Sequence, residues 1–295
     1  MRFWRLGIML AAALPACGGR GALPQGAELD DLGHRIALTP PARRIVSLSP
    51  STTELLFAVG AGPAVVGRTR WCDYPPQVSA VPSVGDGLNP NLETVLARRP
   101  DLVVFYASAG NQSVVARLDA MGIASASLTL DRLDDLPHAA RILGHLTGTS
   151  RRADSLAQAF QERLDSARAA SAAGAAPAAL RVAVIVWDNP PVVIGAGSFL
   201  TDMLALAGAA NVFDDVAQPS APTGIEAIAA RDPEVILSLG DSVPAVARRP
   251  EWRPVRAVRE RRIMTVTGSE YERPSFRAFD AIRALRTSLR AGTPR

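Results

Sequence analysis

The sequence predicts an α/β protein with two similar lobes, each built on a mainly parallel sheet, joined by a long interdomain helix. Two observations indicate this fold. The stretch NLETVLARRPDLVV at 91–104 recurs as GIEAIAARDPEVIL at 224–237. Each copy is typical of a short helix that ends near a proline and is followed by a buried strand. Between the copies, residues 151–173 have the apolar periodicity of a helix.

The two copies align without a gap. Their identical pairs are Glu93 with Glu226, Ala97 with Ala230, Arg98 with Arg231 and Pro100 with Pro233. Helix, proline and strand in this order are common in α/β proteins, so chance recurrence is the alternative. Strands with proline-bearing loops precede both copies and favour two lobes of like build, and two copies are too few for a solenoid.

Composition excludes several classes of protein. The chain has 295 residues, enough for two sizeable cores, and it is 48% hydrophobic and 20% charged, as globular proteins are. All 32 basic residues are arginine, which excludes P-loop and Schiff-base chemistry because both need a lysine. The net charge is only +4 and the arginines are scattered, so we expect no nucleic-acid partner.

Residues 1–17 have the pattern of an export leader, with arginines before an apolar core at 6–14 and a cleavage sequence, LPAC, at 14–17. The cysteine resembles that of a lipobox, so we expect a lipid on Cys17 and a periplasmic protein anchored through it. Ordinary secretory cleavage just before this cysteine is the alternative. Residues 18–28 are then a flexible tether.

The remaining chain divides into an N-terminal lobe at 29–150, a linking helix at 151–173 and a C-terminal lobe at 174–295. One stripe of the helix is apolar: Ala153, Leu156, Phe160, Leu164 and Ala167. At about 1.5 Å per residue it would be about 34 Å long, enough to cross from one lobe to the other. An amphipathic helix on one lobe is the alternative.

In the first lobe, residues 44–48 predict a strand, and a helix follows that ends at Gly60. The Ser51-x-x-Glu54 spacing at the start of this helix is typical of a capping box. A second short strand at 65–67 leads into a proline-rich loop with Trp71 and Tyr74. Ligands of α/β proteins bind at such loops, outside the strand ends, although both aromatics could instead cap the core.

The second lobe repeats this arrangement. Trp187 ends an apolar run that begins at Val182, and Tyr271 with Arg273 follows a predicted strand at 263–266. We expect them to face Trp71 and Tyr106 of the first lobe across a cleft. Aromatic walls suit a large, flat, partly apolar ligand, and an arginine can bond its polar groups. A surface ion pair with Glu270 or Glu272 is the alternative role for Arg273.

Metal and catalytic motifs are missing from the sequence. The histidines His34, His138 and His145 do not cluster, so we expect no metal site and no cofactor. Cys72 is expected to be a free, part-buried packing residue. No Gly-x-Ser-x-Gly elbow or dinucleotide fingerprint is present, and acidic pairs such as Asp134-Asp135 are adjacent, so their side chains point apart. An exported hydrolase is therefore only a distant alternative.

Several motifs in a fixed order resemble one family. In chain order they are Ser47-Leu48-Ser49-Pro50 with Thr53-Glu54, Cys72-Asp73-Tyr74-Pro75-Pro76, Asn91-Leu92-Glu93, Arg99-Pro100-Asp101-Leu102-Val103, Asn189-Pro190-Pro191, Ala207-Gly208-Ala209-Ala210-Asn211-Val212-Phe213 and Glu272-Arg273. Over about 43–289 the chain resembles the periplasmic substrate-binding proteins that supply corrinoids, haem and iron-siderophores to ABC importers. It is most similar to the vitamin B12-binding branch.

The resemblance implies a class III periplasmic binding protein: a monomer that binds a corrinoid such as vitamin B12 or cobinamide between its lobes, with cobalamin as transported ligand rather than cofactor. The implied ligand-binding residues are Trp71, Tyr74, Tyr106, Trp187, Tyr271 and Arg273. The implied partner is the dimeric permease of an ABC importer, whose arginines would meet Glu93 and Glu226.

Two departures from the corrinoid-binding pattern leave other ligands open. Gly85-Asp86-Gly87 stands where such proteins often have an aromatic residue, and Ser269 or Glu270 stands where they have an aspartate. Haem is the first alternative ligand, since Tyr74, Tyr106 or Tyr271 could ligate iron. A ferric siderophore is the second.

Overall fold

The computed structural model describes residues 28–38, 41–173, 179–240, 246 and 248–291. The predicted leader with Cys17 and nearly all of the tether lie outside these residues. Within the described residues, no helix combines the length and apolar character needed to span a membrane.

The first lobe contains a four-stranded parallel sheet in the order β4-β3-β5-β6. The strands of this sheet are β3 (Ile45–Ser47), β4 (Val65–Arg68), β5 (Leu102–Tyr106) and β6 (Ala124–Leu128). Before them in the chain, β1 (Glu28–Leu29) and β2 (Arg35–Ile36) form a separate antiparallel pair. Its helices are α1 (Pro50–Ala58), α2 (Leu92–Leu96), α3 (Gln112–Ala120) and α4 (Asp135–Thr147). The strands predicted at 44–48 and 65–67 are present as β3 and β4, and the strand of the first repeat copy is β5.

The second lobe has a six-stranded mixed sheet in the order β10-β8-β7-β11-β12, with β9 also paired to β7. Its strands are β7 (Leu180–Asp188), β8 (Pro191–Ile194), β9 (Ala209–Asn211), β10 (Ser220–Pro222), β11 (Val235–Leu239) and β12 (Ile263–Val266). Strands β8 and β10 are antiparallel to their neighbours, whereas the other pairs are parallel. Its helices are α6 (Phe199–Ala207), α7 (Ile225–Ala230), α8 (Arg256–Arg259) and α9 (Ala278–Ala291).

A long helix, α5 (Ser150–Ala173), joins the two lobes. The predicted apolar stripe is confirmed: Phe160 and Leu164 are buried, and α5 packs against α4 of the first lobe and α6 of the second. The Phe160 ring also meets the edge of the Phe276 ring of the second lobe, with 5.0 Å between ring centres. The alternative, an amphipathic helix that belongs to one lobe only, is therefore wrong, because α5 contacts both lobes.

The sequence repeat is also a structural repeat. Its copies form α2 with β5 and α7 with β11, and the backbone reverses after each helix at a residue with left-handed geometry. These residues are Arg99, with φ of 48°, and Asp232, with φ of 44°, which align with each other in the repeat. Left-handed geometry is uncommon for residues with a side chain, so its recurrence at equivalent positions argues against chance.

The same contacts fix both copies to the preceding strand. The guanidinium Nε of Arg44 donates to the carbonyl of Arg99 at 2.9 Å, and Arg181 bonds the equivalent turn of the second copy through the carbonyls of Arg231 and Asp232. A carboxylate completes each unit. Asp101 accepts from the backbone N–H of Arg44 at 3.0 Å, and the aligned Glu234 accepts from that of Arg181 at 3.0 Å.

The predicted capping box at the start of α1 is wrong. The N-cap residue is Ser49, whose side chain makes no capping hydrogen bond, and Ser51 is buried. Glu54 is only 5% exposed, and its carboxylate accepts hydrogen bonds from Arg273 and Arg277 of the second lobe instead of from the helix end. Charged donors across the lobe boundary compete for this carboxylate because charge-assisted bonds are the stronger ones.

Candidate ligand-binding cleft

A cleft of about 610 Å³ lies between the lobes. On the first lobe it is lined by the segments that follow β3, β4, β5 and β6, the carboxyl ends of all four parallel strands. On the second lobe it is lined by the start of α6 and by residues 272–274. Ligands of open α/β sheets bind outside strand ends of this kind, so the topology itself places the site here.

Large apolar side chains stand exposed in this cleft. Trp71 is 59% exposed, Tyr106 38% and Leu88 83%. Exposed aromatic and aliphatic faces that share one concave surface mark a ligand-binding site. Trp71 and Tyr106 were predicted to bind ligand, and the structure brings them together. Leu88 was missed, because a lone leucine in a glycine-rich loop has no periodic partner that would make it conspicuous.

The Trp71 indole is oriented by its neighbour. The guanidinium of Arg70 lies 4.9 Å from the centre of the indole ring, and its Nη2 is 2.8 Å from Asp86 on the adjacent loop. An arginine stacked on an aromatic ring and tied to a carboxylate restrains the ring's rotation. The loop with Asp86 therefore supports an aromatic residue without containing one.

Gly87 explains why the loop Gly85-Asp86-Gly87 has no aromatic residue where corrinoid-binding proteins often have one. A Cβ atom at Gly87 would lie 2.1 Å from the backbone carbonyl oxygen of Leu48, so no side chain fits without a backbone shift. The next residue, Leu88, projects into the cleft and supplies the apolar surface there. In this chain, Leu88 therefore supplies the apolar surface that an aromatic residue of this loop would otherwise supply.

Tyr106 is held as a neutral phenol. Its hydroxyl donates to Asp131 Oδ1 at 2.6 Å, and its backbone carbonyl accepts from the Asn111 amide at 2.8 Å. Burial of the hydroxyl raises the pKa of Tyr106 well above its usual value, and the hydrogen bond and negative charge of Asp131 raise it further. The phenol therefore stays protonated at physiological pH.

Arg273 lines the cleft but is only 5% exposed. It bonds Glu54 at 3.2 Å and also pairs with Asp73, both in the first lobe. Beside it, Arg277 bonds the other Glu54 oxygen at 2.7 Å and Glu270 at 2.9 Å. The alternative that Arg273 pairs with its sequence neighbours is wrong, since these five residues form an ion network between the lobes in which Arg273 and Glu54 are buried and Asp73 is exposed. The network already neutralises the charge of Arg273.

Two predicted tyrosines lie away from the cleft lining. Tyr271 is 6% exposed and its hydroxyl donates to the carbonyl of Ala281 at 3.1 Å, so its ring packs in the core of the second lobe. Tyr74 lines a second groove at the lobe boundary, where the guanidinium of Arg277 lies 3.9 Å from the ring centre. The proline-rich loop turns Tyr74 towards Arg277 while Trp71 faces the ligand cleft.

Trp187 is 58% exposed but is not among the residues that line the cleft. Its indole N–H donates to the carbonyl of Asn189 at 2.9 Å, within the turn between β7 and β8. The second lobe contributes Phe199 at the start of α6 to the lining instead. This residue was missed because a phenylalanine that opens an apolar helix is indistinguishable from a core residue in the sequence.

Cys72 is buried at 3% exposure, as a packing residue, and its thiol lies 3.1 Å from the hydroxyls of both Thr53 and Thr69. His34 and His138 each bond a separate aspartate, at 2.8 and 3.0 Å. In the part of the chain that the structure describes, no three histidine, cysteine or carboxylate side chains are grouped to hold a metal ion.

The two repeated glutamates are exposed. Glu93 and Glu226 each stand in the first turn of their helix, α2 and α7. The start of α2 is capped by Asn91, whose side-chain oxygen accepts from the backbone N–H of Glu93 at 2.9 Å. The start of α7, at Gly224, has no side-chain cap. Both carboxylates are thus available to a partner at equivalent positions on the two lobes.

Comparison with known proteins gives consistent matches. Residues 45–269 match the periplasmic binding protein family. A vitamin B12-binding protein of Vibrio cholerae is 26% identical over 254 residues, which cover 85% of this chain and 90% of that protein. The crystal structure of the periplasmic vitamin B12-binding protein of Vibrio cholerae superposes with a TM-score of 0.73 at 25% identity, covering 86% of this chain and 99% of the other. A periplasmic haem-binding protein of Roseiflexus in its apo form gives 0.73 and 25%, covering 85% and 99%.

Proposed function

This chain belongs to the periplasmic binding protein family, and we propose that it binds a corrinoid, vitamin B12 or cobinamide, between its lobes for delivery to an ABC importer. The observation that supports this ligand is the exposure of Trp71 and Tyr106 in one apolar interlobe cleft. Faces of this kind bury well against a wide, flat ring system. The vitamin B12-binding relatives support the same ligand class.

A haem-binding function is the second candidate, because the Roseiflexus haem-binding structure superposes equally well. Haem iron would need a ligand such as a tyrosine phenolate. The Tyr106 hydroxyl donates a hydrogen bond to Asp131 and has a raised pKa, so it stays a phenol, while Tyr271 is buried and bonded to Ala281. Tyr74 lies in the other groove. These environments favour the corrinoid over haem and over a ferric siderophore held by tyrosine.

Calorimetry tests the ligand. The chain without residues 1–17 is titrated with cyanocobalamin, cobinamide, haemin and a ferric siderophore. We expect one-to-one binding of at least one corrinoid. If haemin binds and neither corrinoid gives heat, the proposal of a corrinoid ligand is wrong, whereas the family assignment still holds.

We also propose that the permease recognises Glu93 and Glu226. Both are exposed at equivalent positions of the repeat, and a carboxylate in the first turn contributes only about 0.3 to 1 kcal/mol to helix stability. The double variant Glu93→Arg and Glu226→Arg should therefore bind corrinoid normally, melt within a few degrees of the parent and fail in uptake. The same reversal at exposed Glu162 and Glu251 is the matched control, and normal uptake by the first variant would exclude this docking role.

Export and anchoring are proposed from the leader, which lies outside the described residues. Cleavage before Cys17 and acylation of its thiol would tether the protein to a membrane. A Cys17→Ser variant should then appear in the soluble periplasmic fraction. If the parent is soluble there as well, the lipid anchor is excluded and ordinary secretory cleavage remains.

A further inference from the structure

The charges in the cleft differ from those of the chain as a whole. The sequence has a net charge of +4, yet the charged residues that line the cleft are Asp86, Asp131, Glu272 and Arg273. Arg273 already pairs with Glu54 and Asp73, and Asp86 pairs with Arg70. Among the described residues, Asp131 and Glu272 have no cationic partner, so the cleft presents uncompensated negative charge from both lobes.

Asp131 is fixed at the seam between the lobes. Its backbone N–H donates to Asp135 Oδ2 at 2.8 Å, and its carbonyl accepts from the N–H of Phe199 in the second lobe at 2.5 Å. Its Oδ1 accepts from Tyr106, whereas Oδ2 has no hydrogen-bond partner within the described ranges. Because the residue is only half-buried, Oδ2 is an oriented acceptor that a ligand can reach.

Glu272 stands on the opposite wall. It is exposed and belongs to the same short segment as Arg273, which is locked in the ion network. The network holds this segment at the cleft, and Glu272 lines the cleft without an ion pair to a cation among the described residues. A ligand between the lobes therefore meets a carboxylate acceptor on each side.

We propose that Asp131 and Glu272 form a charge filter, which selects corrinoids whose peripheral groups are amides and rejects ring ligands that carry ionised carboxylates. This rests on the proposed function and specifies the chemistry of its ligand. A primary amide donates to a carboxylate, whereas a ligand carboxylate has no proton to donate and is repelled. The repulsion is larger at Asp131, which is half-buried, because the effective dielectric constant there is below that of water.

The experiment compares two ligands with the same ring, cobinamide and cobyrinic acid, whose peripheral groups are amides in the first and carboxylates in the second. We expect the parent to bind cobyrinic acid at least about tenfold more weakly than cobinamide. The ratio of the two affinities should decrease as the salt concentration is raised, because salt screens the repulsion. Asp131→Asn with Glu272→Gln should bring the two affinities within about threefold of each other. Both substitutions keep a carbonyl acceptor, so the hydrogen bond from Tyr106 survives.

Asp154→Asn with Asp280→Asn is the matched control, because it removes two negative charges from exposed sites on α5 and α9 away from the cleft. It should leave the affinity ratio unchanged, and thermal melts confirm that each variant is folded. Equal affinity of the parent for both ligands, or an unchanged ratio in the double variant, would overturn the filter while leaving corrinoid binding in place. If the parent binds neither of these ligands nor cyanocobalamin, the proposed function itself is overturned.

Discussion

The two lobes share their scaffold but differ in what they give to the cleft. Both contain the repeated helix and strand, with an arginine bonded to the turn and a carboxylate bonded to the preceding strand. The first lobe supplies the exposed aromatics and the second supplies Arg273 and Phe199. A repeat therefore predicts where helices end and strands begin, whereas the residues that line the cleft lie outside the repeated segments 91–104 and 224–237.

The lobes also differ in the sign of their buried charge at the boundary, since Glu54 belongs to the first and Arg273 with Arg277 to the second. Glu54→Ala would leave two arginines without their shared partner. Breaking one side of a buried pair costs about 3 to 5 kcal/mol, so we expect the largest loss of stability here, measured by urea unfolding. Glu93→Ala, which removes an exposed carboxylate from the same lobe, should cost less than about 1 kcal/mol.

If Glu54→Ala is no more destabilising than Glu93→Ala, the ion network does not hold the lobes together. The cation side supplies a second check. Replacing Arg277 with methionine keeps an apolar contact with Tyr74 but removes the bonds to Glu54 and Glu270. This variant should be less destabilised than Glu54→Ala, because Glu54 keeps its bond to Arg273.

The tryptophans sharpen the comparison of the walls. Trp71 lines the cleft and Trp187 does not, although both are more than half exposed. Trp71→Ala should weaken corrinoid binding by about 1 to 3 kcal/mol through lost apolar contact, and Trp187→Ala should change the affinity by less than about threefold. Calorimetry measures both. An equal loss at Trp187 would mean that the second lobe brings its own aromatic wall to the ligand.

The helix starts differ between the repeats, because Asn91 caps α2 and Gly224 leaves α7 without a side-chain cap. Asn91→Ala should cost about 1 kcal/mol. Gly224→Asn should gain a few tenths of a kcal/mol, since the backbone there is extended with φ of −95° and the new Cβ would meet only the flexible end of Glu226, at 3.1 Å. Thermal melts of both variants test this, and a destabilised Gly224→Asn would show that the two helix starts are not interchangeable.

Each lobe has one tyrosine whose pKa is raised by burial, Tyr106 and Tyr271. A raised folded-state pKa gives stability that is complete below the unfolded value of about 10 and is lost as pH rises through the folded value. We expect no effect of Tyr106→Phe on the pH dependence near neutrality and a shallower loss of stability above pH 10. Unfolding measured across alkaline pH tests this. Unchanged alkaline behaviour in Tyr106→Phe would contradict the raised pKa.

The helices and strands were predicted well from the sequence because they depend on residues that are close together in the chain. The strand at 263–266 coincides with β12, and the helix predicted at 151–173 begins one residue earlier, at Ser150. Apolar periodicity, prolines and glycines decide such elements within a few neighbouring residues. Trp71 and Tyr106 were predicted for the same reason, since each follows or ends a recognisable strand.

The failures involve partners that are distant in the chain. Glu54 matched a local capping pattern, but its partners stand 219 and 223 residues away, and no local spacing points to them. Tyr271 was placed in the cleft because it follows β12, yet the backbone turns at Gly268, with φ of 121°, and the ring enters the core. Burial and ion pairing are decided by tertiary packing, which a single sequence does not record.

The helix that joins the lobes has a thermodynamic consequence. The buried residues of one continuous hydrophobic cluster extend from Leu56 of the first lobe through Ala157 and Leu164 of α5 to Leu204 and Leu285 of the second. A core without a break between lobes favours a single cooperative unfolding transition. A free ligand concentration of one hundred times Kd would then add about 2.7 kcal/mol to the free energy of unfolding of the whole chain. Occupancy of the cleft would protect regions far from it, including the ends of α5, against proteolysis.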